Sequence, residues 1–345
     1  MGQRSALSRQ CLGADYREQL VQFSSQYNVP IGSQHRLTLG GDLFAEQLET
    51  VRLVDGQSSR YRGAIFVQDE WSIKSDSGAR LRLVPGGRVD MDSQFGTQAT
   101  PKLAMRYDPN QAMKWRASYG MGFRSPDFKE QYLIFENPSA GYVVEGNPDL
   151  KSESSQSVNL SLEMAVGRSF WFFVNGFHND ILGLINTRED TETNLVGTRR
   201  FTYANIDQAM TQGLETRTRF RLAKHLILEA GYTLTNARNL TLKRALSGRA
   251  RHRSTFDLRY RYRPWKLRVT TRGSLVGPRP VYADDELGAA PRYADPYVRM
   301  SVRIAKKWGY KVTLFGRIEN LLDAGDARDL AIQPRTFSGG ISARL

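Results

Sequence analysis

Apolar and polar side chains exchange places residue by residue along segment after segment of this chain. In STFDLRYRYR, Phe256, Leu258, Tyr260 and Tyr262 fall on one face, while Asp257, Arg259, Arg261 and Arg263 fall on the other. YVRMSVRI sets Val298, Met300, Val302 and Ile304 against Tyr297, Arg299, Ser301 and Arg303. MKWRASYG sets Met113, Trp115, Ala117 and Tyr119 against Lys114, Arg116, Ser118 and Gly120. Successive side chains point to opposite faces in extended backbone, so a period of two means strands. No segment shows a comparable period of 3.6. The pattern predicts an all-β chain of about fifteen strands, over residues 15–27, 34–53, 58–74, 79–92, 98–108, 112–123, 153–166, 169–183, 198–221, 225–238, 250–263, 266–277, 292–306, 310–321 and 330–345.

The connections are sorted. DPNQA at 108–112, VGR at 166–168, RLAKH at 221–225, RPWK at 263–266 and AKKWGY at 305–310 are tight. Between them lie longer stretches, 122–155, 184–197, 239–249, 278–291 and 322–329. Short turns at one end and long loops at the other are the pattern of an outer-membrane barrel. Several strands also exceed the nine to eleven residues that a tilted strand needs to cross a bilayer. Full charges stand mid-strand on the polar face at Arg82, Arg88, Arg116, Glu163, Glu215, Arg217, Arg219, Glu229, Asp257, Arg259, Arg299, Arg303 and Arg317, as suits a water-filled or plugged lumen. Trp71, Trp265, Trp308 and Tyr310 near strand ends are candidates for an interfacial girdle. A soluble sheet with ordinary buried aromatics is the competing reading.

With 345 residues and no apolar run of eighteen, the chain has no membrane-spanning helix in its sequence. The first residues, MGQRSALSRQCLGADY, have no apolar h-region, so no signal peptide is expected there. Cys11 is the only cysteine, and it fits either redox compartment. The formal charge of +14 admits nucleic acid, anionic lipid or sugar phosphates as partners. The cations are spread singly through strands rather than gathered in a patch, and nucleic acid is not expected.

The order of motifs resembles a known family. GFRSPDFKEQY at 122–132 followed by EGNPDLKSESS at 145–155 resembles the FRAP-type and NP-L-K-P-E-type boxes of TonB-dependent outer-membrane receptors. YRGAIFVQDEWSI at 61–73, LRLVPGGRVD at 81–90 and TPKLAMRYDPNQAMKWRASYGMGFRSP at 100–126 look like the family's mid-barrel strands. FTYANIDQAMTQGLET at 201–216 resembles its Y-x-N…G-x-E strand, GRIENLLDA at 316–324 its N-L-F-D element, and QPRTFSGGISARL at 333–345 its closing strand. The resemblance runs from about residue 34 to the end.

The resemblance implies a large antiparallel barrel in the outer membrane of Gram-negative bacteria. Such a barrel imports ferric siderophores, cobalamin or similar scarce ligands, with energy relayed by TonB through a plug. The sequence carries no recognisable plug or TonB box, and about fifteen strands stand against about twenty-two in the family. Residues 1–345 are therefore expected to form one partial barrel domain: a fragment, a truncated gene product, or one half of a split receptor whose N-terminal half is separate. Residues 1–12 are a possible source of a sixteenth strand. Its other expected neighbours are outer-membrane lipid and lipopolysaccharide.

Candidate ligand contacts gather in the long loop at 122–155. Arg124, Asp127, Lys129, Glu130, Tyr132, Glu136, Tyr142 and Glu145 bring charges and aromatic rings to the long-loop mouth, where they suit an anionic chelate with an aromatic rim. The alternative is that Arg124, Pro126 and Glu130 hold the loop to the rim, with Pro126 and Pro148 fixing its turns; for Arg124 and Pro126 this is the favoured reading. Haem receptors that the family contains carry a histidine between the two boxes, and none lies between Arg124 and Asn147, so haem is disfavoured. His35, His178, His225 and His252 show no ligand spacing, and neither a metal site nor a cofactor is expected. No nucleophile elbow or phosphate-cradling loop is present, so the chain does not read as an enzyme. Competing functions are a passive pore, a soluble or surface β-protein that binds anionic polymers, and a barrel portion with no independent activity.

Overall fold

The computed structural model describes residues 4–8, 16–137, 142–189, 199–282, 290–309, 311–325 and 332–343. Its strands are β1 (Arg4–Ser8), β2 (Tyr16–Ile31), β3 (His35–Thr50), β4 (Gln57–Lys74), β5 (Arg80–Asp92), β6 (Gly96–Asp108), β7 (Met113–Arg124), β8 (Ile134–Asn137), β9 (Tyr142–Glu145), β10 (Glu153–Val166), β11 (Phe170–Glu189), β12 (Arg199–Ala223), β13 (Leu226–Asn239), β14 (Arg244–Ala245), β15 (His252–Tyr262), β16 (Leu267–Val276), β17 (Arg279–Val281), β18 (Arg292–Ala294), β19 (Tyr297–Trp308), β20 (Val312–Glu319) and β21 (Thr336–Ala343). One short helix, α1 (Phe128–Tyr132), lies in the long loop.

Each alternating segment forms a strand, and the strands pair with their sequence neighbours. The wall runs from β1 through β7, then β10 to β13, β15, β16 and β19 to β21, antiparallel at every step. β1 is the sixteenth wall strand that residues 1–12 were a possible source of. It covers β2 only from Arg17 to Val21, so Gln22 to Ile31 present an open edge among the described residues. No pairing joins β21 to β1 or β2 among those residues, and the sheet is an arc with two free edges.

Three expectations change in detail. The strand at 292–306 is broken after Ala294, beside Pro296, into β18 and β19; proline has no N–H to give a ladder. β11 and β12 stay paired out to Glu189 and Phe201, well past residue 183, by absorbing register shifts around Gly183. Asn205 Nδ2 donates to the Gly183 carbonyl at 2.8 Å and holds that bulge. The long loop at 122–155, expected to be irregular, contains α1, β8 and β9.

The two faces of the wall differ as a barrel requires. On one, large apolar side chains lie open: Tyr61 is 63% exposed, Ile65 62% and Leu43 61%. A soluble sandwich would cover that face. The small buried cluster of Leu48, Leu53 and Phe128 sits at the rim instead. Trp71, Trp265 and Trp308 are exposed near the short-turn ends, while Tyr310 lies outside the described residues.

On the other face, charges form ladders. Arg88 bonds Asp42 and Asp90, Arg106 bonds Asp108 at 2.8 Å, and Glu163 accepts from Lys114 at 3.0 Å and Arg116 at 2.9 Å. On both faces a phenylalanine folds over a glycine directly across the ladder, Phe66 on the charged face and Phe256 on the apolar one. Phe66 lies over Gly40 and Phe256 over Gly273, each ring so close that a Cβ at the glycine would stand 2.2 Å from it.

Candidate functional site

The long-loop rim is built on one buried arginine. Arg60, with its side chain 7% exposed, donates to Glu46 at 2.7 and 3.2 Å and to the Pro126 carbonyl at 2.7 Å. Its guanidinium lies over the Phe128 ring. Arg60 thereby fixes the point where β7 turns into α1. Nothing in the alternation singles it out from the other polar-face arginines.

α1 is nucleated by its first residues. Asp127 accepts from the Glu130 N–H at 2.8 Å, and Glu130 accepts from the Asp127 N–H at 2.9 Å, a reciprocal capping box. Glu130 also accepts from Arg124 at 2.9 and 3.1 Å, and Glu153 takes a third Arg124 hydrogen bond at 2.5 Å. Glu153 and then Glu130 raise the Arg124 pKa above its ordinary value. Burial, then the neighbouring carboxylates of Glu18 and Asp127, push the Tyr16 hydroxyl up to about 12. Burial first, then Asp127 and Glu130, raises Tyr203 as well.

The motif asparagines act as clamps. Asn147 Nδ2 donates to the Tyr203 carbonyl at 2.8 Å, and Asn205 bonds both the N–H and the carbonyl of Lys151 at 2.8 Å. Asn320, 1% exposed, ties Ala324 to Gln333 through its side chain.

A second group of residues gathers around β9. β8 and β9 form a hairpin, and β9 runs parallel to the outer end of β12, with Tyr142 beside Arg199 and Glu145 beside Thr202. The Tyr142 ring lies 6.1 Å from Phe135 and 6.2 Å, edge-on, from Phe201. Arg52 stands over Phe135 at 5.5 Å and Arg199 over Phe201 at 5.2 Å. Tyr142, Val144, Thr187, Arg199 and Phe201 line a cavity of about 280 Å³. Arg200 and Glu145 approach to 3.5 Å.

The eight residues singled out from the sequence therefore divide. Arg124, Asp127 and Glu130 bond one another, and Tyr132 packs against the Leu48 cluster. Lys129 lies over the Tyr16 ring, and Glu136 is exposed. Tyr142 joins the aromatic strip, with Glu145 at its edge. Arg52, Arg199 and Phe201 were missed; the short alternation in RRFTY is the only signal of the last two. The histidines stay apart: His35 bonds Asp69, His178 bonds Asp180 and His252 bonds Tyr232, and no group of three metal-ligating side chains forms among the described residues.

Comparison with known proteins decides the family. The family model for TonB dependent receptor-like β-barrels matches residues 3–321. The chain belongs to the TonB-dependent receptor β-barrel family. This receptor barrel is similar to the iron-regulated outer membrane virulence protein of Vibrio cholerae serotype O1, 30% identical over 226 residues, which are 62% of this chain and 34% of that protein. It is 26% identical over 236 residues to the vitamin B12 transporter BtuB of Photobacterium profundum, covering 68% of this chain and 36% of the transporter. Among solved structures, the siderophore receptor PirA of Acinetobacter baumannii shares the fold at a TM-score of 0.79 with 15% identity, over 95% of this chain and 55% of that one. The receptor barrel thus spans about a third of the curated relatives' length and about half that of the solved receptors. Its place is the outer membrane, where the uncovered apolar face meets lipid.

Proposed function

We propose that this barrel portion serves an outer-membrane uptake receptor for ferric siderophores or similar anionic chelates with aromatic rims, coupled to TonB in the complete receptor. It breaks no bond in its ligand. The carrying observation is the strip at the long-loop mouth, where Arg52 and Arg199 lie over Phe135 and Phe201 and Tyr142 stands between those rings. Guanidinium groups over aromatic faces offer both charge and stacking to a planar anionic ligand. The ferric enterobactin receptor PfeA of Pseudomonas aeruginosa shares the fold at 18% identity, and a mutant of it solved in complex with enterobactin suggests the probe for a test.

Titrating the chain, in neutral detergent, with ferric enterobactin tests this. Saturable binding is expected, about tenfold weaker in Tyr142→Ala and in Arg199→Ala. Equal binding by both variants and wild type would remove the strip from the site.

The free edges of β2 and β21 favour a second statement about the same barrel. Unpaired strand edges in lipid leave backbone groups unsatisfied at a cost of several kcal/mol each, so the arc works only with further strands across its gap. Planar-bilayer recording tests this: a stable monomeric pore of porin size from this chain alone would refute it.

A further inference from the structure

The segment between α1 and β10 joins two parts of the rim that the wall holds apart. On one side it is bonded to the connection between β3 and β4. The Val54 N–H donates to the Tyr132 carbonyl at 3.2 Å, the Ile134 N–H donates to the Arg52 carbonyl at 2.7 Å, and Leu53 pairs with Leu133 between them. On the other side β9 lies along the outer end of β12, from Arg199 to Thr202. The β8–β9 ladder completes the bridge. By way of the wall, the same two points are separated by β5, β6, β7, β10 and β11.

The bridge is tightly seated on α1. The Gly146 N–H donates to the Leu133 carbonyl at 2.7 Å, and the Asn147 N–H to the Glu130 carbonyl at 2.8 Å. A Cβ at Gly146 would stand 2.4 Å from the Gln131 carbonyl carbon and 2.5 Å from the Tyr132 nitrogen. Those are backbone atoms, which cannot swing aside as the end of a side chain can. Leu53 and Val143 are buried at the two sides of the bridge. The cations of the aromatic strip belong to its two anchors: Arg52 to the β3–β4 connection, Arg199 to β12.

We infer that the β8–β9 hairpin is a cross-brace that fixes the spacing of Arg52 and Arg199, with Ile134 and Gly146 as its positioning residues. Without it, each cation would follow the motion of its own part of the rim. With it, both are presented at one spacing, and ordering them is part of folding rather than of binding. The value of that spacing to a ligand rests on the strip being the ligand site; the brace itself does not.

The test uses the full chain in neutral detergent, with Cys11→Ser and spin labels at Val51→Cys and Arg188→Cys. Val51 adjoins Arg52, Arg188 faces Thr202 of β12, and both are exposed. Dipolar spectroscopy is expected to give one narrow distance distribution, which broadens and lengthens in Ile134→Pro and in Gly146→Ala. Ile134→Pro removes the N–H that reaches Arg52, and Leu133, at φ −72° and ψ 135°, already has the extended backbone that precedes proline. Gly87→Ala, where a Cβ meets nothing within 4 Å, is the control and should change nothing. Unchanged distributions in both variants, or equal broadening in the control, overturn the brace. Titration with ferric enterobactin then tests its use. Each variant is expected to bind about tenfold more weakly. Arg199→Ala added to Ile134→Pro should weaken binding little further, because the two cations no longer act on one ligand. Fully additive losses overturn the positioning role. Failure of the wild-type chain to bind would count against the ligand reading alone, with the distance distribution still deciding the brace.

Discussion

Two stretches of one wall solve the same electrostatic problem in opposite ways. From β3 to β10, arginines that face each other each meet a carboxylate, often from a neighbouring strand: Glu46 takes Arg60 and Arg62, and Glu163 takes Lys114 and Arg116. From β12 to β19, the row nearest the short turns keeps Arg261 against Arg268 with nothing between them. The first stretch is a finished structure, held from within. The second leaves a facing pair of arginines without a carboxylate partner among the described residues. A formal charge summed over the chain hides this, because both stretches are rich in arginine and only one is electrically open.

Breaking the closed half should hurt most at its driest pair. Arg60→Ala leaves Glu46 without its buried partner and the Pro126 carbonyl without a donor, and about 3 kcal/mol of stability is expected to go. Urea unfolding of the chain in micelles measures it; a loss below about 1 kcal/mol would mean that Arg60 is not the rim's anchor. Glu163→Gln sits in a wetter ladder and frees two cations at once. It should cost about 1 kcal/mol, shrinking in high salt. Arg268→Ala sharpens the contrast through its sign. It removes a like-charge neighbour and is expected to be neutral or to stabilise by a few tenths of a kcal/mol at low salt; a clear destabilisation would show that Arg268 has a partner within the chain.

The smallest effect is confined to alkaline solution. The Tyr16 hydroxyl is raised from 10.0 to about 12 in the folded chain. The folded state therefore keeps its proton where the unfolded state loses it. Stability from this group is whole below pH 10 and declines as pH rises from there to about 12. Tyr16→Phe should flatten that part of the pH–stability profile, and an unchanged decline would assign it to another group.

The wall was legible in the sequence because its signal is long. Ten or more residues of alternation leave little room for another fold, and the sorted turn lengths gave the end-to-end asymmetry. The rim was less legible. β8 and β9 have four residues each, two per face, too few to show a period. Their parallel seat on β12 depends on β11 and β12 running on together past Gly183, and a loop-like sequence at 184–197 concealed that. Arg124 and Glu130 drew notice as charges in a loop, and the structure pairs them with each other, a contact six residues apart that the loop's irregular sequence did not announce. Arg199 and Phe201 were read as wall because they open a strand. Arg60 could not be separated from its neighbours, since burial at the rim is a tertiary fact.

The glycines under phenylalanine rings settle an ambiguity that alternation leaves open. A strand of period two satisfies its faces equally well after sliding two residues along its neighbour. Slid that way, Phe66 would meet not Gly40 but Thr38 or Asp42, and Phe256 would meet Thr271 or Leu275 rather than Gly273, with a Cβ where the ring now lies. Each ring-and-glycine pair is a tooth in a notch. Each indexes its own seam, β3 on β4 and β15 on β16, so at those two places a two-letter rhythm still reads in one alignment.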